Sequence, residues 1–482
     1  MSVPGPPDLT GWDRGSRWSA LRVVVAGLGV AGFAAADALL SVGAGVVVVD
    51  DADGPQQSGR AEILRTLGAE VRLGDGALPA ALDLLVVSPG LAPAAPVIRA
   101  AQQRGVPVWG ELELAWRLRP PGAAPWLTVT GTNGKTTTTL MLVSMLRAAG
   151  VVTEAVGNIG YSAIDAVMQG PEYGALAVEV GAPQLPFVST VSPLASVCLN
   201  FAPDHVDLFG GVAAYRRAKA RVYERTQVAA VYNVADPQTE QMVREADVVD
   251  GCRAIGFTLG VPSPSMLGVV DDLLVDRAFV TQRRENAQEL AAVADVTPFA
   301  PHNVENALAA AALARAFGVP AQAVRQGLTQ FRPAPHRIAQ VAEVAGVRYV
   351  DDSKATNAHA AAGSLRAYRP VVWIAGGLAK GQSFDELVLA VRDRLRAVVL
   401  LGADRDVIAA ALRRHAPEVP LQEVSRADTG AMYDVVTAAA ALARPGDTVL
   451  LAPACASWDM FTDYAARGSE FAAAVQALGE RG

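Results

Sequence analysis

Cysteine is scarce in this 482-residue chain: Cys198, Cys252 and Cys455 are odd in number and widely scattered. That pattern excludes a disulfide framework and a cysteine-based zinc spacing, and it fits a reducing compartment. Positive charge is also short, with 41 Lys and Arg against 48 Asp and Glu, a net charge of −7 and no basic run. A nucleic-acid backbone is bound by clustered cations, so no nucleic-acid partner is expected. The chain also lacks short-period repeats and a low-complexity tail. What it has in abundance is apolar material: 51% hydrophobic residues and a mean hydropathy of +0.26. The length exceeds one hydrophobic core and predicts roughly two to four domains.

One apolar stretch invites a membrane reading. Within residues 23–49 the only polar side chains are Asp37 and Ser41, and Arg14, Arg17 and Arg22 lie upstream. Its internal order is a β-branched run, three spaced glycines, an Ala/Leu stretch, and Val46-Val47-Val48-Val49 ending in Asp50-Asp51. A buried parallel βαβ unit reads this way because both faces of its strands are covered. No membrane insertion is expected, and the location expected is cytoplasmic.

The pattern predicts an α/β chain with residues 1–20 as a loose, Pro- and Gly-rich leader. Strand-like runs LRVVVAG, GVVVVDD, AEVRLG, LDLLVVSPG and VPVWGE alternate with helical stretches and predict a doubly wound domain over 21–121. A second unit, 122–333, opens with PWLTVTG and runs through YGALAVEV, ASVCLNF and VAAVYNV. It continues with a hairpin at MLGVVDDLLV and an Ala-rich helix over 303–317. After Arg332-Pro333-Ala334-Pro335 a third unit, 334–482, repeats the alternation at RYVDDS, PVVWIAGG, AVVLLGAD and TVLLAPACAS.

Two glycine clusters carry chemistry. Gly27, Gly29 and Gly32, with Val30 and Ala31 between them, follow a strand and open a helix, and Asp50 ends the next strand. The spacing suits a dinucleotide, a nucleotide-sugar or a bare tight turn; Ser88 and Gly90 would line the same crevice. The second cluster is Gly131-Thr132-Asn133-Gly134-Lys135-Thr136-Thr137. Backbone N–H groups and a helix N-terminus converge there on phosphates, Lys135 suits terminal phosphates, and the Thr136 hydroxyl suits Mg²⁺. The usual early glycine of such a loop is replaced by Val129, which predicts a tighter loop.

Other polar groups stand at strand ends. Glu179 reads either as a metal-binding carboxylate or as a surface acid on an edge strand, and His205 as a metal ligand or a loop histidine. Lys219, among Arg216, Arg217, Arg221 and Arg225, reads by default as part of a solvated basic face, since an ammonium offers no lone pair to a cation. In the third unit Lys354, Lys380 and His336-Arg337 gather cations near one rim of an acidic protein, which suggests an anionic substrate.

Together the stretches GTNGKTT, GNIG, NFAPDHVD, AYRRAKARVYE, PHNVENALAA, APHR, DDSKATN and PACASWDMF resemble the Mur ligases from about Leu21 to the C-terminus. DDSKATN points to the member that adds D-glutamate to UDP-N-acetylmuramoyl-L-alanine; the Asp-Asn-Pro-Arg-type motif of the sibling that adds diaminopimelate or lysine is absent. The resemblance implies a Rossmann-like UDP-binding domain, a central P-loop ATPase-type domain and a Rossmann-like C-terminal domain. It implies ATP, two Mg²⁺ sites, CO₂ held as a lysine carbamate, and a monomer acting in peptidoglycan precursor synthesis. Lys135, His205 and carbamylated Lys219 would be catalytic, with metals on Thr136, Glu179, His205 and Lys219. The ATP site would comprise Gly131 to Thr137 with Asn303, Asn306 and Arg337. The UDP-substrate would meet the first glycine cluster, Asp50, Ser88, Gly90, Asn158 and Gln184. D-glutamate would meet Lys354, Thr356, Lys380, Ser457 and Tyr464.

One departure stands out: after Glu179 the family's Leu-Ser-Ser-Phe-Gln-Leu is replaced by Val180-Gly181-Ala182-Pro183-Gln184-Leu185. Rival readings are a folylpolyglutamate synthase-like sibling, an NAD-dependent oxidoreductase with an accessory ATPase, and a non-catalytic nucleotide-binding protein.

Overall fold

The computed structural model describes residues 7–480 apart from Pro171, His205, Ala427 and Thr429. The β-branched runs form strands because flat, two-sided burial suits their stiff side chains. Five strands, β1 (Arg22–Ala26), β2 (Gly45–Asp50), β3 (Glu70–Leu73), β4 (Leu84–Val87) and β5 (Val108–Gly110), pair in parallel in the order β3-β2-β1-β4-β5. The order reverses between β1 and β4, so the loops after these two strands face one crevice.

The second sheet begins with β6 (Trp126–Thr130), β7 (Thr153–Gly157), β8 (Ala175–Glu179), β9 (Ala195–Cys198), β10 (Ala229–Asn233) and β11 (Arg253–Phe257). It ends in β12 (Met266–Val270), β13 (Leu273–Asp276) and β14 (Gln288–Ala292). The order is β14-β13-β12-β11-β10-β9-β6-β8-β7, parallel except for the antiparallel pairs of β13 with β12 and β14. The expected hairpin is present, with Asp271 at φ 53° in its turn.

The third sheet contains β15 (Ala339–Val344), β16 (Val347–Asp351), β17 (Val371–Gly376), β18 (Leu395–Leu401), β19 (Leu421–Glu423) and β20 (Thr448–Leu451). Its order is β15-β16-β20-β17-β18-β19, with only β15 antiparallel. By compactness the chain divides into two units. The first spans Met1–Asp295 and Asn306–Phe331, the second Val296–Glu305 and Arg332–Gly482. The first two sheets share one buried cluster that runs from Val23 through Trp126 to Met242.

The segment expected as a loose leader is packed from residue 7 onward. Trp18 is 1% exposed, meets Trp12 and Trp109 edge to face, and donates its Nε1–H to Asp13 O at 2.9 Å. Arg117 donates to the carbonyls of Leu9, Thr10 and Trp12 and pairs with Glu113 at 2.8 Å. Three tryptophans and a buried guanidinium outweigh the local preference of a Pro- and Gly-rich stretch for disorder. Among the described residues no helix is long and apolar enough to cross a membrane. Trp18→Ala is expected to lower the unfolding free energy by about 3–5 kcal/mol, read from the denaturation midpoint. An unchanged midpoint would show that the segment is not part of the core.

Candidate active site

Val129 explains the missing glycine. It pairs with both Glu179 and Val197 in the middle of the sheet, so the strand continues to Thr130 and the loop starts late. Gly131 (φ 153°) and Gly134 (φ 86°) then make the turn. A Cβ on Gly134 would lie 2.4 Å from Asn306 Oδ1, and one on Gly131 3.0 Å from Leu199 Cβ. The loop is pinned on its far side. Asn133 N–H donates to Asn200 Oδ1 at 2.9 Å, and Thr132 Oγ1 donates to Ala202 O at 3.0 Å. The helix Lys135–Ala148 leaves the loop, and Lys135 Nζ curls back onto the carbonyls of Gly131 and Thr132 at 2.9 and 3.0 Å. Thr137 is buried, and Thr138 Oγ1 donates to Asn306 Oδ1 at 3.2 Å.

Glu179 is 2% exposed and β8 lies between β6 and β7, which rules out the surface-acid reading. Thr136 Oγ1 donates to one carboxylate oxygen at 2.8 Å and Asn158 Nδ2 to the other at 2.9 Å. A hydroxyl and a carboxylate set side by side at the mouth of a phosphate loop suit Mg²⁺, a hard cation that takes oxygen donors and retains several waters or phosphate oxygens. Among the described residues no cluster of three or more His, Cys, Asp or Glu forms a self-sufficient metal cage. His205 lies outside the described residues.

Lys219 corrects the solvated-face expectation. It is 1% exposed on the helix Val212–Ala220, with Nζ 5.0 Å from the Tyr215 ring centre. Tyr215 is flanked by Phe201 and Phe209, and its hydroxyl lies 3.5 Å from Thr132 Oγ1. Burial, and then the charge of Lys135, lower the Lys219 pKa to about 7. A neutral amine is the form that reacts with CO₂, and the resulting anion would reverse the unfavourable like-charge contact with Lys135.

In the first sheet, a Cβ on Gly32 would fall 1.8 Å from Gly27 O, so the helix Val30–Ser41 can approach the loop only with glycine there. Ser88 Oγ donates to Gly27 O at 2.9 Å, which joins the loops after β1 and β4. Asp50 accepts the Leu28 and Ala52 N–H groups. Gly29, Val30 and Gly90 are exposed and Ala31 is half-buried. Two residues expected against the UDP-substrate turn inward: Asn158 onto Glu179, and Gln184 onto the Gly181 N–H (2.8 Å) and Glu111 (3.4 Å). Glu111, not anticipated, also accepts from Ser162 Oγ and the Ala163 N–H.

The second unit is described by itself. Asn303 is buried, with its Nδ2 on Pro298 O, and Arg337 is half-buried in the turn before β15. Lys354 Nζ lies 3.9 Å from the Tyr464 ring centre, and Lys380 Nζ 4.3 Å from that of Trp458. Paired backbone hydrogen bonds between Leu378 and Ala456 join the Lys380 loop to the loop of buried Ser457. Thr356 N–H donates to Lys354 O, and Lys354 N–H to His336 O. These backbone bonds tie His336, Lys354 and Thr356 together, and the Lys380 loop to the Ser457 loop. Arg467, fully buried beneath it, was missed, although an arginine in an otherwise Ala-rich helix is a visible signal.

A phosphate loop with a metal-suited carboxylate and a nucleotide-type crevice in the first unit, and a cation-bearing rim in the second, are the parts an ATP-dependent ligase uses. Family profiles agree: "Mur ligase MurD-like, N-terminal domain" matches residues 21–110, "Mur ligase middle domain" 129–314, and "Mur ligase, glutamate ligase domain" 336–455. The chain belongs to the Mur ligase family. It is 60% identical over 465 residues to the "UDP-N-acetylmuramoylalanine–D-glutamate ligase" of Streptomyces avermitilis, covering 96% of this chain and 100% of that one. The protein of the same description from Mycolicibacterium smegmatis is 43% identical over 511 residues, covering 98% and 99%. In fold it is similar to MurF ligase from Thermotoga maritima, solved in complex with ADP, with a TM-score of 0.58 and 15% identity over 91% and 95% of the two chains.

Gly134→Ala combines a left-handed backbone conformation with a side-chain clash. It is expected to weaken ATP binding at least about tenfold, measured by calorimetric titration. Wild-type affinity would show that the loop does not hold the nucleotide.

Proposed function

We propose that this chain joins D-glutamate to UDP-N-acetylmuramoyl-L-alanine while ATP is split to ADP and phosphate, a cytoplasmic step of peptidoglycan synthesis that supports cell shape and division. The observation that carries the activity is the 60% identity to a D-glutamate ligase across the whole of both chains. A carboxylate is a poor acyl donor because oxide is a poor leaving group. In the first step a substrate carboxylate oxygen attacks the γ-phosphorus of ATP and ADP departs. The D-glutamate amine then attacks the acyl carbon, loses a proton, and phosphate leaves as the amide forms.

The residues divide this work. The amides of the loop 131–135 and the N-terminus of the following helix cradle the phosphates, and Lys135 holds the terminal one. Thr136 and Glu179 would hold a first Mg²⁺, and His205 with carbamylated Lys219 a second. Metals held there would supply neutralisation of the charge on the transferring phosphoryl group. Asn158, which donates to the Glu179 carboxylate, and Gln184 would meet the UDP-substrate. Asn306 braces the phosphate loop; Asn303 and Arg337 complete the ATP site. The crevice of Gly27, Gly29, Val30, Ala31, Gly32, Ser88 and Gly90 takes the uridine nucleotide, with Asp50 near its ribose or base. Lys354, Thr356, Lys380, Ser457 and Tyr464 receive D-glutamate. Domains over 21–121, 122–333 and 334–482, working as a monomer, fit this division.

Phosphate release with UDP-N-acetylmuramoyl-L-alanine and ATP, across a panel of D- and L-amino acids, is expected with D-glutamate alone. Release with a folate and L-glutamate, or ATP binding without turnover, would overturn the reading. Lys219→Ala is expected to lose at least about 100-fold in rate and to regain part of it with acetate or formate. Full activity without any additive would remove the carbamate from the scheme.

A further inference from the structure

Arg467 sits in the first turn of the helix Tyr464–Gly479 and is 1% exposed. Its Nε donates to Ser353 Oγ at 2.9 Å, its Nη2 to Ser353 O at 2.8 Å and its Nη1 to Cys455 O at 3.1 Å. Ser353 Oγ in turn donates to Tyr464 O at 2.7 Å. One planar guanidinium thus fastens the loop after β16 to the loop after β20, and both to the helix that carries Tyr464. Next to it, a Cβ on Gly468 would lie 2.2 Å from His336 Nδ1 and 2.7 Å from Asp351 Oδ2, so the helix is seated against the end of β16 with no slack.

The charge is as telling as the contacts. All three hydrogen bonds end on neutral oxygens, and no ion pair joins Arg467 to a carboxylate among the described residues. A buried cation is costly, and the nearby Asp459 and Asp351 carboxylates offset part of that cost without a direct ion pair. The loops above it carry Thr356 and Ser457, flanked by Lys354 over the Tyr464 ring and Lys380 over the Trp458 ring.

We infer that Arg467 is the positioning residue of the amino-acid subsite: it locks the loops 353–357 and 454–457 into one rim and so fixes the groups that receive the amino acid. The inference rests on the reading of the rim as the D-glutamate site. Lysine cannot replace it, because an ammonium lacks the planar fork that reaches two loops at once.

The test compares Arg467→Lys, Arg467→Met and Ser353→Ala with wild type in steady-state kinetics for all three substrates. Arg467→Lys is expected to raise KM for D-glutamate about tenfold, with KM for ATP and for the UDP-substrate within about twofold. Arg467→Met is expected to be worse, and added guanidinium ions to recover part of its D-glutamate KM. Ser353→Ala keeps the guanidinium and cuts one link, so a smaller rise confined to D-glutamate is expected even if the arginine variants do not fold. An unchanged KM for D-glutamate in Ser353→Ala and in any folded arginine variant, or an equal rise for all three substrates, would overturn the inference. A wild-type reaction that ignores D-glutamate would instead strike the reading beneath it.

Discussion

The buried carboxylate of Glu179 is the contact on which the catalytic centre depends. It lies at the end of β8, inside the sheet, and its two oxygens are taken by Thr136 from the phosphate loop and Asn158 from the turn after β7. The neighbouring backbone closes the same junction: Asn158 N–H donates to Glu179 O, and a Cβ on Gly157 would lie 2.5 Å from that oxygen. Three loops are therefore referenced to one side chain, and anything that binds between Thr136 and Glu179 meets a preset geometry rather than one formed on arrival.

Around that junction the protein accepts an electrostatic cost. Burial, and then the charge of Lys135, weaken the hold of Lys219 on its proton. Such an arrangement is unfavourable as two ammonium groups and favourable once one of them becomes an anion. The aromatic wall of Phe201, Phe209 and Tyr215 keeps the site dry enough for this choice to matter. In the second unit Arg467 is a buried cation held by neutral oxygens of the loops after β16 and β20.

Much of this was legible in the residues. The strand-glycine-helix grammar identified both loops, and the α/β alternation identified the central strands of all three sheets. The strands not anticipated, β7, β14, β15 and β19, are edges whose residues are mixed in polarity and carry little periodic signal; β11, with Arg253 and Gly256, is similarly diluted. The segment before residue 21 was misjudged because proline and glycine report local preference, whereas its packing joins Trp18 to Trp109 and Leu9 to Arg117, partners distant along the chain. Beside Val180-Gly181-Ala182-Pro183, Gln184 turns inward and, with Ser162, donates to the buried Glu111.

By itself the sequence determined the class of fold and the glycine-rich loops, because periodicity and glycine spacing are local properties of the chain, and its motifs carried the resemblance to the family. Which acids and amines are buried, and against whom, was decided only by tertiary structure. Glu179 became an interior carboxylate rather than a surface acid, Lys219 a buried amine of lowered pKa rather than a solvated cation, and Arg467 a hidden brace. Burial and charge pairing depend on neighbours distant along the chain, and no spacing rule encodes them.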